Sequence, residues 1–473
     1  MTAPDGAAAP DVAPAPDGAS TPFLLSAFEM MTPVHQSPGL WRHPESRIAE
    51  FDRLAYWTRL ARTVEDGGFS ALFLADVLGL YDVYGGGIEA TVRGGVQWPV
   101  LDPAVAVPAM AAATERIGFG VTASVTYERP YLLARTLATL DHFTGGRVAW
   151  NIVTSYQDSA ARNLGLDRQI PHDARYDLAD EALHALYRLW EGSVEPGAVR
   201  FDRAAGVVAD PDRVHPAAVA GAHVRVPDAA LTHPGPQGTP YLFQAGASAR
   251  GRRFALDHAE AVFAIGPTPA HVRRFVDQTR AGLTEAGRSA DAIRVLAMVT
   301  VVVAETDEAA AQRLAGYAEH VDVAGALALW GGWTGVDVAG LDPDAPLEHV
   351  VTDANRSALA AFTEDPSGRT WTLRDVAEFV AIGGRGPVIV GSPETVADEL
   401  QRWQAETGVD GFNVSAAVRP ADLERFAALV SPELRRRGVL REPEPGRTLR
   451  ENLSGAGPAL PADHRGHAFR TAG

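Results

Sequence analysis

Four short apolar runs in this chain end in side chains that can hold a ligand or a proton: Phe73-Leu74-Ala75 ends in Asp76, and Val121 is followed by Thr122, Ala123 and Ser124. Asn151-Ile152-Val153 ends in Thr154 and Ser155, and Gln244-Ala245-Gly246 opens into Ala247, Ser248, Ala249, Arg250 and Gly251. In parallel α/β folds ligands bind at the carboxyl ends of strands, so polar residues there are candidates for a site. Any one of them also serves as a helix or turn cap, and only their joint placement is informative. The Gly246 to Gly251 loop suits an anion, because small residues let backbone N–H groups approach a phosphate, Ser248 adds a hydroxyl and a helix start follows. His172 and Tyr176, four residues apart at another helix start, share a face. His172 is a candidate proton carrier there, with capping as the alternative. Gly383-Gly384-Arg385-Gly386 reads as a turn, an anion cradle being the alternative. No His-x-x-x-His or paired metal-ligand spacing accompanies His172, so no metal site is expected.

Two long connections carry aromatic and cationic residues that suit pocket walls or lids. One follows the first apolar run and holds His35, Trp41, Arg42 and His43; the other, Leu78 to Pro103, holds Tyr81, Tyr84, Gln97 and Trp98. His35, Trp41, Tyr81, Tyr84 and Trp98 are therefore the expected substrate-pocket residues. Arg42, Arg93 and Arg175 would suit a polycarboxylate, whereas the aromatic set suits an apolar, heteroatom-containing compound.

These residues need a scaffold, and the chain alternates strand-like runs with helical-period segments. Strands are expected at 23–28, 71–74, 118–121, 148–153, 241–244, 261–265, 295–303, 388–390 and 411–414. Between the first two, Ile48, Phe51, Leu54, Ala55 and Leu60 recur at helical spacing until Gly67-Gly68. Ser392 caps a later helix with Pro393 at its first position. Nine candidates compete for the eight strands of a (β/α)8 barrel, and the very short Val388-Ile389-Val390 is the surplus one. A doubly wound open sheet would give the same alternation.

Stretches near 193–239 and 320–370 break the rhythm and read as insertions. Residues 1–20, almost all Ala, Pro, Asp and Gly, form an expected disordered tail, 21–453 a single barrel domain, and 454–473 a flexible C-terminal tail.

Composition narrows the chemistry. The 473 residues include no Cys, which excludes disulfides, thiolate nucleophiles and iron–sulfur centres. They include no Lys either, which excludes Schiff-base and Walker-type catalysis. Any difficult chemistry is expected to reside on a cofactor. The formal charge of −17 argues against nucleic acid and anionic membranes. With no apolar run long enough to span a bilayer and no signal peptide at the start, a cytoplasmic protein is expected.

Taken together, HQSPGLWRHP, LFLADVLGLYDVYGG, VTASVTYERPYLLAR, GGRVAWNIVTS, ARNLGLD followed by PHDARYDLADE, PQGTPYLFQAGASARG, AEAVF, GSPETVADEL, DGFNVS and SPELRRRGVLRE give a chain that resembles the bacterial-luciferase-like flavin monooxygenases. Within them it is similar to the nitrilotriacetate, dibenzothiophene-sulfone and pristinamycin-type group, from about residue 23 to about 453. The resemblance implies a luciferase-like (β/α)8 TIM barrel with insertions that binds FMN through Asp76, Thr122, His172, Tyr176 and Ser248. Where the family often has serine before Ser248, this chain has Ala247. The resemblance further implies the oxygenase half of a two-component system. A separate NAD(P)H-dependent flavin reductase supplies reduced FMN, and dioxygen oxidises a small organic molecule, sulfur- or nitrogen-containing, through a flavin hydroperoxide. A homo-oligomer, dimer or tetramer, is expected. A deazaflavin-dependent oxidoreductase of the same superfamily and a flavin-binding protein without oxygenase activity are the alternatives.

Overall fold

The computed structural model describes residues 22–246, 248–347, 354, 356–363 and 368–470. Nine strands form one parallel sheet: β1 (Leu24–Met30), β2 (Ala71–Ala75), β3 (Gly118–Ser124), β4 (Val148–Val153), β5 (Tyr241–Gln244), β6 (Ala261–Ala264), β7 (Arg294–Val303), β8 (Val388–Gly391) and β9 (Gly411–Ser415). Their order is β6-β5-β4-β3-β2-β1-β9-β7-β8, and a β6–β7 pairing closes eight of them into a barrel. All nine expected strands are present, and the short run at 388 is the one outside the closed ring, paired only with the end of β7. The barrel is therefore the outcome, and the open-sheet alternative is ruled out by that closing pair.

Each strand is apolar along most of its length because both of its faces are covered. Of the helices α1 (Leu54–Asp66), α2 (Pro130–Thr144), α3 (His172–Trp190), α4 (Ala249–His258), α5 (Val323–Thr334), α6 (Leu373–Ala381) and α7 (Pro393–Thr407), all but α5 and α6 cover one face of the strands, and those two pack in a cluster of their own. The cap expected at Ser392 is formed: its side chain accepts from the Thr395 N–H, Pro393 opens α7, and Gly408 closes it at φ +72°.

The other face fills the barrel interior with rings at its amino-terminal and middle levels: Phe243 stacks on Phe263 at 5.3 Å and Phe73 meets Phe263 at 4.4 Å. Two glycines in β3 make this filling fit. A Cβ on Gly120 would lie 3.0 Å from Phe73, and one on Gly118 would lie 2.5 Å from Leu449, whose segment plugs the amino-terminal end. Above the rings the inward residues turn polar, Thr122, Asn151 and Asn413 among them. There the barrel has room.

The stretch read as the first insertion carries two small antiparallel hairpins, Val199–Asp202 with Val207–Ala209 and Val219–Ala220 with Arg225–Val226. In the second, α5 and Trp371 join Tyr81 and Val96 from the long connection after β2 in a separate hydrophobic cluster. That cluster fastens the two connections together above the barrel.

Residues 1–20 lie outside the described residues. The described part of the C-terminal segment differs from the flexible tail expected there. Leu460 and His464 are buried, His464 Nε2 lies 2.9 Å from the His258 carbonyl, and the Phe469 ring stacks on Tyr187 at 5.8 Å. His464 and Phe469 pack on α3 and α4, which composition could not show. Among the described residues no helix is long and apolar enough to cross a membrane.

Candidate functional site

The carboxyl ends of the strands open on a cavity of about 1300 Å³, its mouth included. Strand ends form its floor through Phe28, Thr122, Asn151, Phe263, Met298 and Asn413. One side is built by His172, Arg175 and Tyr176 of α3 with Gly246 and Ser248 of the glycine loop. The connections above add His35, Gln36, Gln97, Tyr156, Trp333 and Arg385.

On the floor, a short relay fixes one amide. Thr122 Oγ1 donates to the Leu74 carbonyl at 2.9 Å, so its oxygen accepts from Asn151 Nδ2, also at 2.9 Å. A hydroxyl has one proton to give, and with that proton committed the amide must present its nitrogen to Thr122. Asn151 Oδ1 is thereby turned away, buried and without a hydrogen-bond partner, and Asn413 Oδ1 is in the same condition. Buried acceptors are nearly always satisfied in folded proteins, so two of them on one cavity floor point to a ligand carrying N–H or O–H donors.

At the side, Ser248 caps α4 by accepting from the Gly251 N–H at 3.0 Å. The Tyr176 hydroxyl is hydrogen-bonded with Ser248, and burial pushes the phenol up from its ordinary value. A Cβ on Gly246 or on Gly251 would come within 2.7 or 2.6 Å of that hydroxyl. Only glycine fits at either place, and the loop is left as a cradle of backbone and hydroxyl groups before a helix start, where anions are favoured. His172 stands next to it with its ring 5.3 Å from that of Tyr176 and its Nδ1 2.6 Å from Asp173 Oδ1. Ala247 lies outside the described residues.

Asp76 closes the β2 end of the cavity. Its Oδ1 accepts from the Val77 N–H at 2.9 Å, but burial, reinforced by Asp102, pushes the carboxyl up to about 7. The folded value lies above the unfolded 3.8, so between about pH 4 and pH 7 the folded chain keeps a proton that the unfolded chain has lost. Stability therefore falls as pH rises through that window. Asp76→Asn should remove this slope and raise the flavin-free protein's stability above pH 7 by about 1 kcal/mol, a discounted figure because the carboxyl faces an open cavity. Urea midpoints at pH 5 and pH 8 measure it, and equal slopes for both proteins would defeat it.

His35, buried, is held neutral: its pKa is pushed well below the usual value by burial and by Arg419. Gln36 Nε2 lies 3.1 Å from its Nε2.

Of the residues singled out in the sequence, Asp76, Thr122, His172, Tyr176, Ser248 and His35 are together in this cavity. Four expected pocket residues are not in its wall. Trp41 and Trp98 are 47% and 36% exposed, and Tyr84 packs against the upper cluster. Tyr81 is buried one layer behind, its hydroxyl 2.7 Å from that of Tyr156, which does line the cavity. The upper cluster takes Tyr81 and Tyr84 into its own packing, a long-range demand that local sequence does not show. Arg175 lines the cavity, whereas Arg42 bonds the Gly39 and His320 carbonyls and Arg93 pairs with exposed Glu89.

Asn151, Asn413, Gln36 and Tyr156 were not expected as site residues, and Arg385 was expected only within a turn whose alternative was an anion cradle. Asn151 carried a usable signal: a lone amide in Val148-Ala149-Trp150-Asn151-Ile152-Val153, in alternation with inward-facing Ala149 and Val153. Asn413 in Gly411-Phe412-Asn413-Val414-Ser415 carried the same one.

Comparison with known proteins adds chemistry to this geometry. A family model described as luciferase-like monooxygenase matches residues 27–411. The chain is 48% identical over 432 residues to the dimethyl-sulfide monooxygenase of Hyphomicrobium sulfonivorans, covering 91% of this chain and 90% of the relative. The crystal structure of that organism's DmoA superposes with a TM-score of 0.88, covering 95% of this chain and 96% of the other. Identity to the long-chain alkane monooxygenase of Geobacillus thermodenitrificans (strain NG80-2) is 40%, covering 94% of this chain and 97% of the relative. A riboflavin lyase solved with modified FMN and riboflavin is 35% identical, with a TM-score of 0.89 over 96% of this chain and 100% of that one.

Proposed function

The chain belongs to the luciferase-like monooxygenase family, and from that premise we propose that it is the oxygenase component of a two-component system, taking reduced FMN from a separate NAD(P)H-dependent reductase and using dioxygen to oxygenate a small organosulfur compound. The observation that carries the cofactor is the pairing, in one cavity, of a glycine–serine anion cradle with two unpartnered amide oxygens on the floor. Phosphate suits the first, and the N–H groups of a reduced isoalloxazine suit the second. Support for the substrate class comes from the relative named for dimethyl sulfide, together with the apolar lining of Phe28, Phe263 and Met298.

Bound reduced FMN supplies the activation of dioxygen, and the residues of the chain bind, orient and shield. Ser248 and Tyr176 hold the phosphate end, and the Thr122–Asn151 relay presents its acceptor to the ring system. Phe28, Phe263, Met298 and Trp333 keep the reacting volume apolar, which excludes water and strengthens every polar contact inside. His172, backed by Asp173, is the group placed to carry a proton, and His35 stays neutral.

Purified protein mixed in a stopped-flow instrument with reduced FMN and aerated buffer should slow flavin reoxidation and, with a thioether present, yield the sulfoxide. Flavin reoxidation at the free rate, or tight deazaflavin binding without FMN binding, would reject the proposal. Ser248→Ala should weaken FMN about tenfold, the scale of one charge-assisted hydrogen bond, and leave riboflavin affinity unchanged because riboflavin lacks the phosphate. Equal losses for both ligands in a fluorescence titration would remove Ser248 from the phosphate site.

A further inference from the structure

A cation stands in the upper wall of the cavity, and among the described residues no carboxylate lies against it. Arg385 emerges from Gly383-Gly384-Arg385-Gly386, and the shape of that loop explains its glycines. Gly383 and Gly384 have φ of +84° and +71°, and the Gly383 N–H donates to Ser37 Oγ at 3.0 Å. A Cβ on Gly384 would fall 1.8 Å from Gln36 Oε1, and one on Gly386 would fall 2.7 Å from the Met298 carbonyl. The turn expected from sequence is thus built to press close against β7 and the connection after β1, and its one side chain is delivered into the cavity.

There the guanidinium lies over the Trp333 ring, 4.8 Å from its centroid. Its polar neighbours are the phenols of Tyr156 and Tyr81. Both phenols are pushed above their ordinary values by burial and are neutral at physiological pH. Tyr81 donates to Gln97 Oε1 at 2.9 Å, and Gln97 donates to the His35 carbonyl at 3.2 Å, so this wall is braced in one arrangement. Among the described residues no carboxylate faces Arg385, its Nε is buried without a hydrogen-bond partner, and burial pushes its pKa down. A desolvated guanidinium without a counter-ion is costly, and sites of that kind are stabilised when an anion arrives. The contacts of Arg385 share no residue with those of the Ser248 cradle, so the flavin phosphate has its own partners.

We propose that Arg385 is a specificity residue that binds an anionic group, carboxylate or sulfonate, on the substrate, so that the organosulfur compound oxidised here is an organic acid rather than a neutral sulfide. This rests on the function proposed above for the reaction, but not for the binding. The apolar body lies against Trp333 and the Phe28–Phe263–Met298 floor, and the acid group meets the guanidinium fork.

Two isosteric probes separate the charge from the shape: 3-(methylthio)propionate and isopentyl methyl sulfide. Titrated calorimetrically into the flavin-free protein, the acid should bind at least tenfold more tightly than the neutral sulfide. Arg385→Gln should reduce that preference below threefold, and Arg385→Lys, which keeps the charge without the fork, should retain part of it. Circular dichroism melts confirm that both variants fold, and if Arg385→Gln does not, the lysine variant and the salt dependence of acid binding decide. Equal binding of both probes to the wild-type protein, or a preference that survives in Arg385→Gln, overturns the proposal. So does a variant that loses reduced FMN affinity while its preference is unchanged, because the cation would then serve the flavin. Since no turnover is read, a protein that selects the acid and oxidises nothing would reject the monooxygenase assignment and leave this inference standing.

Discussion

Asn151→Leu should weaken reduced FMN about 100-fold while leaving the flavin-free protein as stable as before or slightly more stable. The two signs follow from one atom. Asn151 Oδ1 is buried with no partner in the flavin-free chain, so removing it relieves an unsatisfied acceptor. Leucine keeps the same branched outline of side-chain heavy atoms, and Thr122 keeps its bond to the Leu74 carbonyl when the amide is gone. With flavin bound the situation inverts: a ring N–H would face a methyl group in a closed cavity. An unpaired buried donor costs roughly 1–3 kcal/mol, the upper end of which is about two orders of magnitude in affinity. Anaerobic titration with reduced FMN, followed by fluorescence, gives the affinity, and thermal melts without flavin give the stability. A loss under threefold would show that the amide does not touch the cofactor. A lower melting temperature together with weaker binding would show a structural role only. Thr122→Val gives a smaller loss, about tenfold, because it frees the amide to rotate without removing it.

The contrast between Asn151 and the aromatic residues of the long connections marks what sequence could reveal about this site. All nine strand segments were legible because each is a short, nearly continuous apolar run bounded by turn residues, and β4 and β5 were placed to the residue. Polar residues at strand ends were legible too, since a parallel barrel sends every carboxyl end to one face, and Asp76, Thr122 and Ser248 follow from that rule alone. His172 and Tyr176 depended on a helix start being near the same face, which the family resemblance supplied. Tyr81, Tyr84, Trp41 and Trp98 failed as wall residues for a different reason. The surroundings of Tyr81 and Tyr84 are set by α5 and Trp371, some 250 residues away, while Trp41 and Trp98 stay exposed, and a lid-like composition does not say which rings face the cavity, which form the lid's own core and which face solvent. Arg385 was half legible: three glycines around an arginine read as a turn with an anion cradle as the alternative, and the charge matters because β7 and the connection after β1 lie within reach. The packed C-terminal segment is the same kind of miss. Leu460, His464 and Phe469 are few in a Gly- and Pro-rich stretch, but each one finds a prepared surface.

At the opposite end of the barrel, Arg450→Met should lower folding stability by about 3–5 kcal/mol, the usual cost of leaving one member of a buried ion pair alone. Arg450 is fully buried. Its Nε and Nη2 meet the two oxygens of Glu260 at 2.6 and 2.9 Å, Nη2 also bonds the Thr239 carbonyl at 2.8 Å, and Nη1 bonds the carbonyls of Gln237 at 3.1 Å and Pro458 at 2.5 Å. All five guanidinium protons are used, and the groups they join are the residues just before β5, the residue just before β6 and the C-terminal segment. Methionine fills much of the space but leaves Glu260, 3% exposed, as a buried carboxylate whose one remaining hydrogen bond among the described residues is from the Leu242 N–H at 3.1 Å. The urea midpoint should fall with little change in slope, since the folded surface is the same. Adding Glu260→Gln should restore part of the loss by removing the stranded charge, whereas additive losses in the double variant would show that the two residues act separately. Because the pair sits at the amino-terminal ends of the strands, beneath the aromatic filling, reduced FMN affinity of the folded protein should be unchanged. A barrel of this kind separates the two demands: the lower end is closed by fully satisfied charge, and the upper end keeps its unsatisfied atoms, Asn151 Oδ1, Asn413 Oδ1 and Arg385 Nε, for whatever binds there.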